Sequence, residues 1–310
     1  AHHRAVAGID ALDLAGDQAY ADVITGSGAG FVGGAVSKVD VTNSPVIETA
    51  VRNGAVLDAG GAVRVTSRSL QDVEADGTSA SGAGFASIGV VHSITEASGS
   101  VTSHVDGEIA SADEVTIASD VDARSVLEGR AWVGSIGISV TTTVISSEAS
   151  PAVASYVGGS GVIHATNDVR VESLATTEAS ADAQALTLAG FGGGGVVNLS
   201  ATASPDLDAS LGGGTIRSTN GSVSLRAIHN EGSTDPSVRA STRMATFSIG
   251  LSMGTSNPTA TAAASSDAVV DSGSVLSAPN GAVTVEASVV NVVDARMSNI
   301  GGAAISINVS

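Results

Sequence analysis

The amino-acid sequence predicts an all-β fold, namely a β-solenoid (stacked β-helix) of about six wide coils. Three observations lead to this prediction. A short alternating strand recurs at intervals of roughly 52–60 residues, a glycine-rich segment follows each copy, and a glycine turn precedes the next copy. Because a unit of this length cannot enclose its own core, the copies are expected to stack on one another.

The alternating strand begins with a valine that marks each copy. Apolar and polar residues alternate in Val63-Arg64-Val65 and in Val169-Arg170-Val171, which is the period of a strand with one buried face. The markers divide residues 1–310 into a single repeat segment whose copies start near Val6, Val63, Val115, Val169, Val223 and Val283. The first copy, from Val6 to Ile9, matches the pattern least well.

The glycine-rich segment is interpreted as a bend between two longer strands. Most copies carry one of the rare aromatic residues there, as in Gly84-Phe85 and Gly190-Phe191. Glycine would let the strand kink, and the ring would cover the exposed backbone. The second glycine element, for example Asn53-Gly54 or Asp106-Gly107, is typical of a turn in which glycine supplies a positive φ.

The composition favours ordered β structure with a thin, regular core. Hydrophobic residues make up 43% of the chain but aromatic residues only 2%, so the apolar content is mainly alanine and valine. Side chains this small cannot fill an irregular interior. The charged fraction is a modest 14%, and valine and isoleucine recur at regular positions, which argues against a disordered linker.

Charge and cysteine content exclude several classes of partner and site. The net charge of −18 repels nucleic acid and anionic membranes. The sequence contains no run of about 20 apolar residues that could cross a bilayer as a helix. The absence of cysteine excludes disulfides, thiolate metal sites and cysteine nucleophiles. This combination is compatible with a protein on the exterior of a bacterium.

The repeat pattern leaves two architectural questions open. A unit of about 54 residues could form one wide coil or two narrower ones, and spacing alone does not decide between them. Neither end of the sequence shows a capping element of distinct composition. We therefore expect either a slice of a longer array or a chain whose ends stack head to tail into a filament.

One stretch resembles a known family. The run of residues 154–171, ASYVGGSGVIHATNDVRV, is similar to the repeats of giant bacterial surface proteins, the leukotoxin-like and haemagglutinin-like filamentous adhesins. The resemblance covers nearly the whole chain because the repeats do. It implies an extracellular β-solenoid stalk that is secreted and anchored by segments outside this sequence.

Two motifs could be mistaken for catalytic or phosphate-binding sites. The run Gly250-Leu251-Ser252-Met253-Gly254 matches the nucleophile elbow of serine hydrolases, but no helix follows it. The glycine run from Gly190 to Gly195 lacks the lysine and helix start of a phosphate-binding loop. With one tryptophan and two tyrosines the chain also lacks a credible sugar-cleaving cleft, so no enzyme activity and no catalytic residue are predicted.

Candidate metal ligands are scattered. Asp206 with Asp208, and Asp120 with Asp122, could each place two carboxylates on one strand face, which leaves calcium between coils as an alternative. The nonapeptide of calcium-binding solenoids is absent, so no metal-binding or cofactor-binding residue is predicted. Surface positions are the expected explanation for the histidines, which are His2, His3, His92, His104, His164 and His229.

The predicted function is structural. We expect a segment of an extracellular or cell-surface fibre, stalk or sheath whose partners are copies of itself or adjoining repeats of a longer chain. The alternative is an adhesin module that binds a surface glycan or a host protein through one face of the solenoid. That alternative would need a loop inserted in a single copy, and the longest interval, Val223 to Val283, contains extra residues around Asn230 to Val238.

Overall fold

The computed structural model of the protein describes residues 2–5, 9–303 and 305–309, and the side-chain environment of residues 18–303. The described residues form β-strands joined by bends and turns, without a helix, which confirms the all-β prediction. Repeat 1 contains β1 (His2–Ala5), β2 (Ile9–Ala29), β3 (Val32–Asn43) and β4 (Val46–Val51). Repeat 2 contains β5 (Val56–Ala59), β6 (Val63–Ala83) and β7 (Ala86–Val105). Repeat 3 contains β8 (Glu108–Ala112), β9 (Val115–Ser135) and β10 (Ile138–Val157).

The later repeats follow the same order, with more interruptions in the long strands. Repeat 4 contains β11 (Val162–Ala165), β12 (Val169–Ala189), β13 (Gly192–Ala203) and β14 (Asp206–Leu211). Repeat 5 contains β15 (Thr215–Ser218), β16 (Val223–His229), β17 (Val238–Ser248), β18 (Leu251–Ala262) and β19 (Ser265–Val270). Repeat 6 contains β20 (Val275–Ser277), β21 (Val283–Val289), β22 (Val293–Gly302) and β23 (Ile305–Val309).

The strands form three parallel sheets, and each repeat contributes to all three. The short sheet has the order β1-β5-β8-β11-β15-β20. The first long sheet has the order β2-β6-β9-β12-β16-β21 and is continued by β17 and β22. The second long sheet contains β3, β4, β7, β10, β13, β14, β18, β19 and β23. This arrangement of stacked parallel strands is consistent with a β-helix.

The register of the first long sheet follows the valine markers. Val63 pairs with Val115, Val115 with Val169, Val169 with Val223, and Val223 with Val283. Neighbouring strands are therefore one whole repeat apart in sequence. The marker of the first copy, Val6, lies outside the described residues, and the residue that pairs with Val63 is Ile9.

The alternating strand is longer than the sequence pattern indicates. It continues without interruption for 21 residues in β6, up to the glycine-rich bend. The hydrophobic alternation fades because the inward positions Ser67, Ser69 and Gln71 are polar, although all three are buried. Ser67 Oγ donates a hydrogen bond to the carbonyl oxygen of Thr102 at 3.0 Å in the opposite long sheet. The pleat thus persists where the apolar signal disappears.

The core lies between the two long sheets and is closed at one end by the short sheet. In the short sheet, Ile109, Ile163 and Ile216 stack in register and are fully buried. Serines connect the long sheets farther along: Ser103 Oγ donates to Ala118 O at 2.8 Å, and Ser155 Oγ donates to Glu172 O at 2.7 Å. The interior therefore combines small apolar ladders with buried serine columns.

Glycine is required at the bend for close packing between repeats. A Cβ on Gly84 would overlap the carbonyl oxygen of Gly30, and a Cβ on Gly190 would overlap that of Ile136. The bend that the sequence predicts is present at these glycines, and the structure adds a second requirement, the close approach of neighbouring backbones. The aromatic rings point outward at this edge, where Phe31 and Phe85 stack with their centroids 5.1 Å apart.

The turn before each marker uses glycine in two ways. Gly54 has φ +81°, as the sequence predicts for an Asn-Gly turn. At Gly107 the limit is space, because a Cβ there would lie 2.6 Å from the carbonyl oxygens of Ala55 and Arg52. The turns are therefore similar in sequence without sharing one backbone conformation.

Candidate functional site

The two motifs that resemble enzyme elements are structural. Ser252 lies on the inner face of β18 and is fully buried, and its hydroxyl donates to Thr246 O at 3.0 Å. It therefore has neither the exposure nor the tight turn that a nucleophile needs. In the glycine run, Gly190 and Phe191 form the bend, and the residues from Gly192 onward belong to β13.

The expectation that surface positions explain the histidines is wrong for two of them. His104 is buried and stacks on Tyr156 with the ring centroids 4.8 Å apart. Its Nε2 atom lies 3.3 Å from Asp106 Oδ2 and 3.8 Å from Glu48 Oε1. His104 and Tyr156 occupy equivalent positions in consecutive repeats, and only the register brings them into contact.

The carboxylates considered for calcium point outward along their strands. Asp120 Oδ2 lies 3.3 Å from Arg68 Nε, and Asp208 pairs in register with Asp267. Burial raises the pKa of the Asp208 carboxyl, and the carboxylates of Asp267 and Asp206 raise it further. Within the part of the chain that the structure describes, no cluster of three or more histidine, aspartate or glutamate side chains is arranged to hold a metal ion.

The extra residues of repeat 5 form a loop that breaks the first long sheet. The loop lies between β16 and β17, where repeat 4 has the uninterrupted strand residues Thr176, Thr177 and Glu178. Its first residue, Asn230, has a φ of 53° and is buried. Asn230 Oδ1 accepts a hydrogen bond from the Thr177 backbone amide at 2.9 Å, so the loop is tied to the strand of the preceding repeat.

His229 supports the base of this loop from inside the core. The residue is fully buried, and Nε2 shares a 2.8 Å hydrogen bond with the hydroxyl of Thr177. The described residues place no hydrogen-bond partner on Nδ1. Burial lowers the pKa of the imidazole to about 4, so the ring is neutral at physiological pH.

The loop creates a polar cavity of about 480 Å³ at the surface of the first long sheet. Glu178 and Asp235 contribute carboxylates, and Arg239 contributes a guanidinium group. Such a set of groups can bind a small polar ligand through hydrogen bonds and charge. The sequence signal for this cavity was the longer interval between two markers; the contact with Thr176 and Glu178 depends on the register and was not foreseen.

The second candidate site is the edge formed by repeat 6. Val223 and Leu225 are fully buried, whereas their register partners Val283 and Val285 are 49% and 46% exposed. The described residues pair no strand with the outer edge of β21. Repeat 6 therefore presents both strand backbone and the apolar inner face of the stack, which together can accept another layer of strands.

Two further findings concern the identity of the chain. Within the described residues there is no helix long and apolar enough to cross a bilayer. Comparisons with protein-family models, with curated proteins and with solved structures find no significant match to this chain.

Proposed function

We propose that the protein is structural and forms a section of an extracellular or cell-surface fibre, stalk or sheath. In this proposal the chain is a β-solenoid of six wide coils, one coil for each repeat, and it is extended by stacking. The added layer belongs to a second copy or to adjoining repeats of the same array. The half-exposed Val283 and Val285, whose equivalents in repeat 5 are fully buried, are the observation that carries the proposal.

Backbone geometry supports extension at this edge. Each marker amide donates to the following repeat: Val115 N to Asp168 O at 3.0 Å, and Val169 N to Ser222 O at 2.9 Å. Alternate amides of a strand point to alternate sides, so Val283, Val285 and Ala287 direct their amides toward the free edge. A new layer would satisfy these donors and cover the apolar ladder at the same time.

The surface chemistry supports a role outside the cell without nucleic-acid or membrane partners. The net charge of −18 opposes both, and it limits lateral aggregation of a long object. The resemblance of residues 154–171 to repeats of filamentous adhesins favours the same location. Continuous backbone hydrogen-bond ladders would give the fibre its length and stiffness. This role requires neither a catalytic site nor a cofactor.

The test is to block the free edge without disturbing the sheet. The double substitution Val285→Pro with Ala287→Pro removes two backbone amide donors that face the free edge of β21. It removes no hydrogen bond to β16, because both amides point away from that strand. The wild-type chain should form end-to-end oligomers in analytical ultracentrifugation and in electron micrographs, and the proline variant should lose them. Val285→Thr with Ala287→Ser is the matched control, since it keeps both amides and should still stack.

A wild-type chain that shows no end-to-end contact at any concentration, from a source in which no longer parent chain occurs, would contradict the proposal. The same conclusion would follow if the proline variant and its control assembled equally well. Circular dichroism of each variant establishes that the β structure is retained.

A second candidate function is ligand binding by the loop of repeat 5. The cavity beside Glu178, Asp235 and Arg239 favours it, since the structure describes this loop in one repeat alone. In this candidate the chain is an adhesin module that binds a glycan or a host protein. Replacing residues 230–237 with the Thr-Thr-Glu of repeat 4 should abolish binding on a glycan array, while Asp182→Asn, outside the cavity, should not change it.

A further inference from the structure

The glycine-rich edge of the stack is apolar and free of charge. In each of the first five repeats a window of fourteen residues around the bend contains no charged side chain; the windows are 24–37, 78–91, 132–145, 186–199 and 245–258. The chain as a whole carries 31 acidic residues. On so acidic a protein, an exposed edge that is apolar and uncharged indicates an interaction surface.

On the second long sheet this edge forms a continuous exposed surface, which we call the apolar margin. It consists of the outward side chains of residues 32–36, 86–90, 138–142, 192–196 and 251–255, together with the bend side chains beside them. Its large exposed members are Val32, Val36, Ile88, Ile138, Val140, Val196, Leu251 and Met253, with Phe31, Phe85, Ile136, Phe191 and Ile249 at the bend.

The apolar margin is not flat, because it contains a notch. Gly194 lies between Val140 of repeat 3 and Met253 of repeat 5, and the two larger side chains border a notch of about 170 Å³. A Cβ on Gly194 would meet no atom within 4 Å, so the notch opens outward. Its volume is several times the roughly 30 Å³ that one water occupies in the liquid, which leaves room for an aliphatic side chain.

We propose that the apolar margin is a lateral interface between two copies of this chain, arranged about a two-fold axis. In a two-fold contact the same patch serves both partners, so Val140 or Met253 of one copy can enter the notch at Gly194 of the other. Two such faces would pack about 10 Å apart, like the sheets of a sandwich. This contact is separate from the axial stacking proposed above.

Periodicity and charge both favour a second copy as the occupant. Strands in the margin repeat every ~4.8 Å, and an identical face offers ridges and grooves at the same spacing. Contact through the middle of the first long sheet would bring acidic side chains of two copies together. An example is the in-register column Asp22, Asp76, Glu128 and Asp182 on the first long sheet. Like charges in such proximity oppose association.

The size of the margin also fits. Five strands extend about 24 Å along the stack, and five residues plus the bend extend about 23 Å across it, which gives roughly 550 Å² of projected area. Side-chain relief adds to the accessible area, and a typical partner contributes about 800 Å² to a stable interface. The contact lengthens with every added repeat, so lateral pairing grows stronger as the fibre grows.

The test uses the chain with Val285→Pro and Ala287→Pro, so that axial stacking does not obscure lateral pairing. This protein should sediment at twice the 30.0 kDa mass of one copy. Adding Val140→Asp with Val196→Asp should return it to one copy. The matched control, Ser146→Asp with Ser200→Asp, places the same charges outward on the same strands beyond the margin and should remain dimeric.

A neutral variant separates the shape of the margin from its charge. Gly194→Phe fills the notch, and its Cβ meets no atom of its own fold within 4 Å, so it should weaken dimerisation at least tenfold. A single-copy mass for the protein with an intact margin would overturn the proposal. So would binding of that protein to uncharged phosphatidylcholine vesicles in place of dimerisation. Failure of axial stacking alone would leave the lateral dimer intact, so the two proposals can fail independently.

Discussion

Gly190 lies directly against the carbonyl group of Ile136 in the preceding repeat, so closely that a Cβ on Gly190 would overlap the carbonyl oxygen. The same relationship joins Gly137 to Phe85 and Gly250 to Phe191. One glycine in each bend therefore sets how near two repeats can approach, and the backbone cannot yield without breaking the ladders on either side of it.

Gly190→Ala is therefore expected to destabilise the protein by about 3 kcal/mol or more, because the clash is with backbone rather than with a flexible side chain. Gly134→Ala is the matched control, since a Cβ there would meet no atom within 4 Å. Urea unfolding followed by circular dichroism measures both. Equal free energies of unfolding for the two variants would show that the bend tolerates a methyl group.

Ile163→Ala should cost about 2–5 kcal/mol, because it opens a cavity in a ladder where Ile109 and Ile216 cannot close the gap. The neighbouring His164 is exposed, and His164→Ala should change the free energy of unfolding by less than about 0.5 kcal/mol. The pair tests whether the stretch around residue 163 serves the fold or a ligand. A large loss for His164→Ala would argue for a role that the packing does not explain.

His229 should make stability depend on pH in mildly acidic solution. Its folded pKa of about 4 is below the value of 6.5 for the free side chain, so the unfolded chain binds the proton more readily. The contribution is complete above pH 6.5 and is lost as the pH falls toward 4, by on the order of 3 kcal/mol. His229→Gln does not titrate, so the difference between wild type and variant should shrink with acid. Parallel pH profiles would contradict this assignment.

Ionisation of Asp208 should lower the stability of the folded protein at neutral pH, in contrast to the contribution of His229. Its folded pKa is raised, first by burial and then by Asp267 and Asp206, so the folded state holds the proton more tightly than the unfolded state does. The ionised carboxylate therefore opposes folding at neutral pH, and Asp208→Asn should stabilise the protein by less than about 1 kcal/mol, because solvent screens the exposed side chain. At pH 3 the carboxyl is protonated in both states and the gain should vanish. A melting temperature raised equally at both pH values would point to another cause.

The strand positions and their register could be predicted from sequence because one signal repeats. The pattern of a valine followed two residues later by a second aliphatic residue, at positions 63, 115, 169, 223 and 283, marks a buried face, and strands with the same pattern must align it or expose it. The extent of those strands could not be predicted in this way. Beyond Val65 the inward positions become Ser67 and Ser69, which are both buried. The Ser67 hydroxyl donates to Thr102 O in the opposite long sheet, and Ser69 Oγ accepts a hydrogen bond from Gln71 Nε2 on its own strand. A hydropathy pattern carries no sign of these partners.

The candidate sites were only partly foreseeable for the same reason. The length of one interval indicated a loop near Asn230, but Glu178 joins the cavity from another repeat 52 residues away from that asparagine. The sequence around His104 and His229 does not indicate that these histidines are buried, because their contacts are with Tyr156 and Thr177 in neighbouring repeats. The glycine-rich bends can be identified in the sequence. The charge-free margin is a surface only because the parallel register brings five of these bends side by side.

The constant register has a consequence for how such a chain can change in length. Each strand of repeat 4 pairs only with its equivalents one repeat away, as Val169 does with Val115 and Val223. Duplicating residues 169–222 in the gene would supply every new strand with matching neighbours above and below, and no existing pair would need a new partner. Whole-repeat duplication therefore preserves the strand register, whereas a shift of a single residue would turn a complete face inside out.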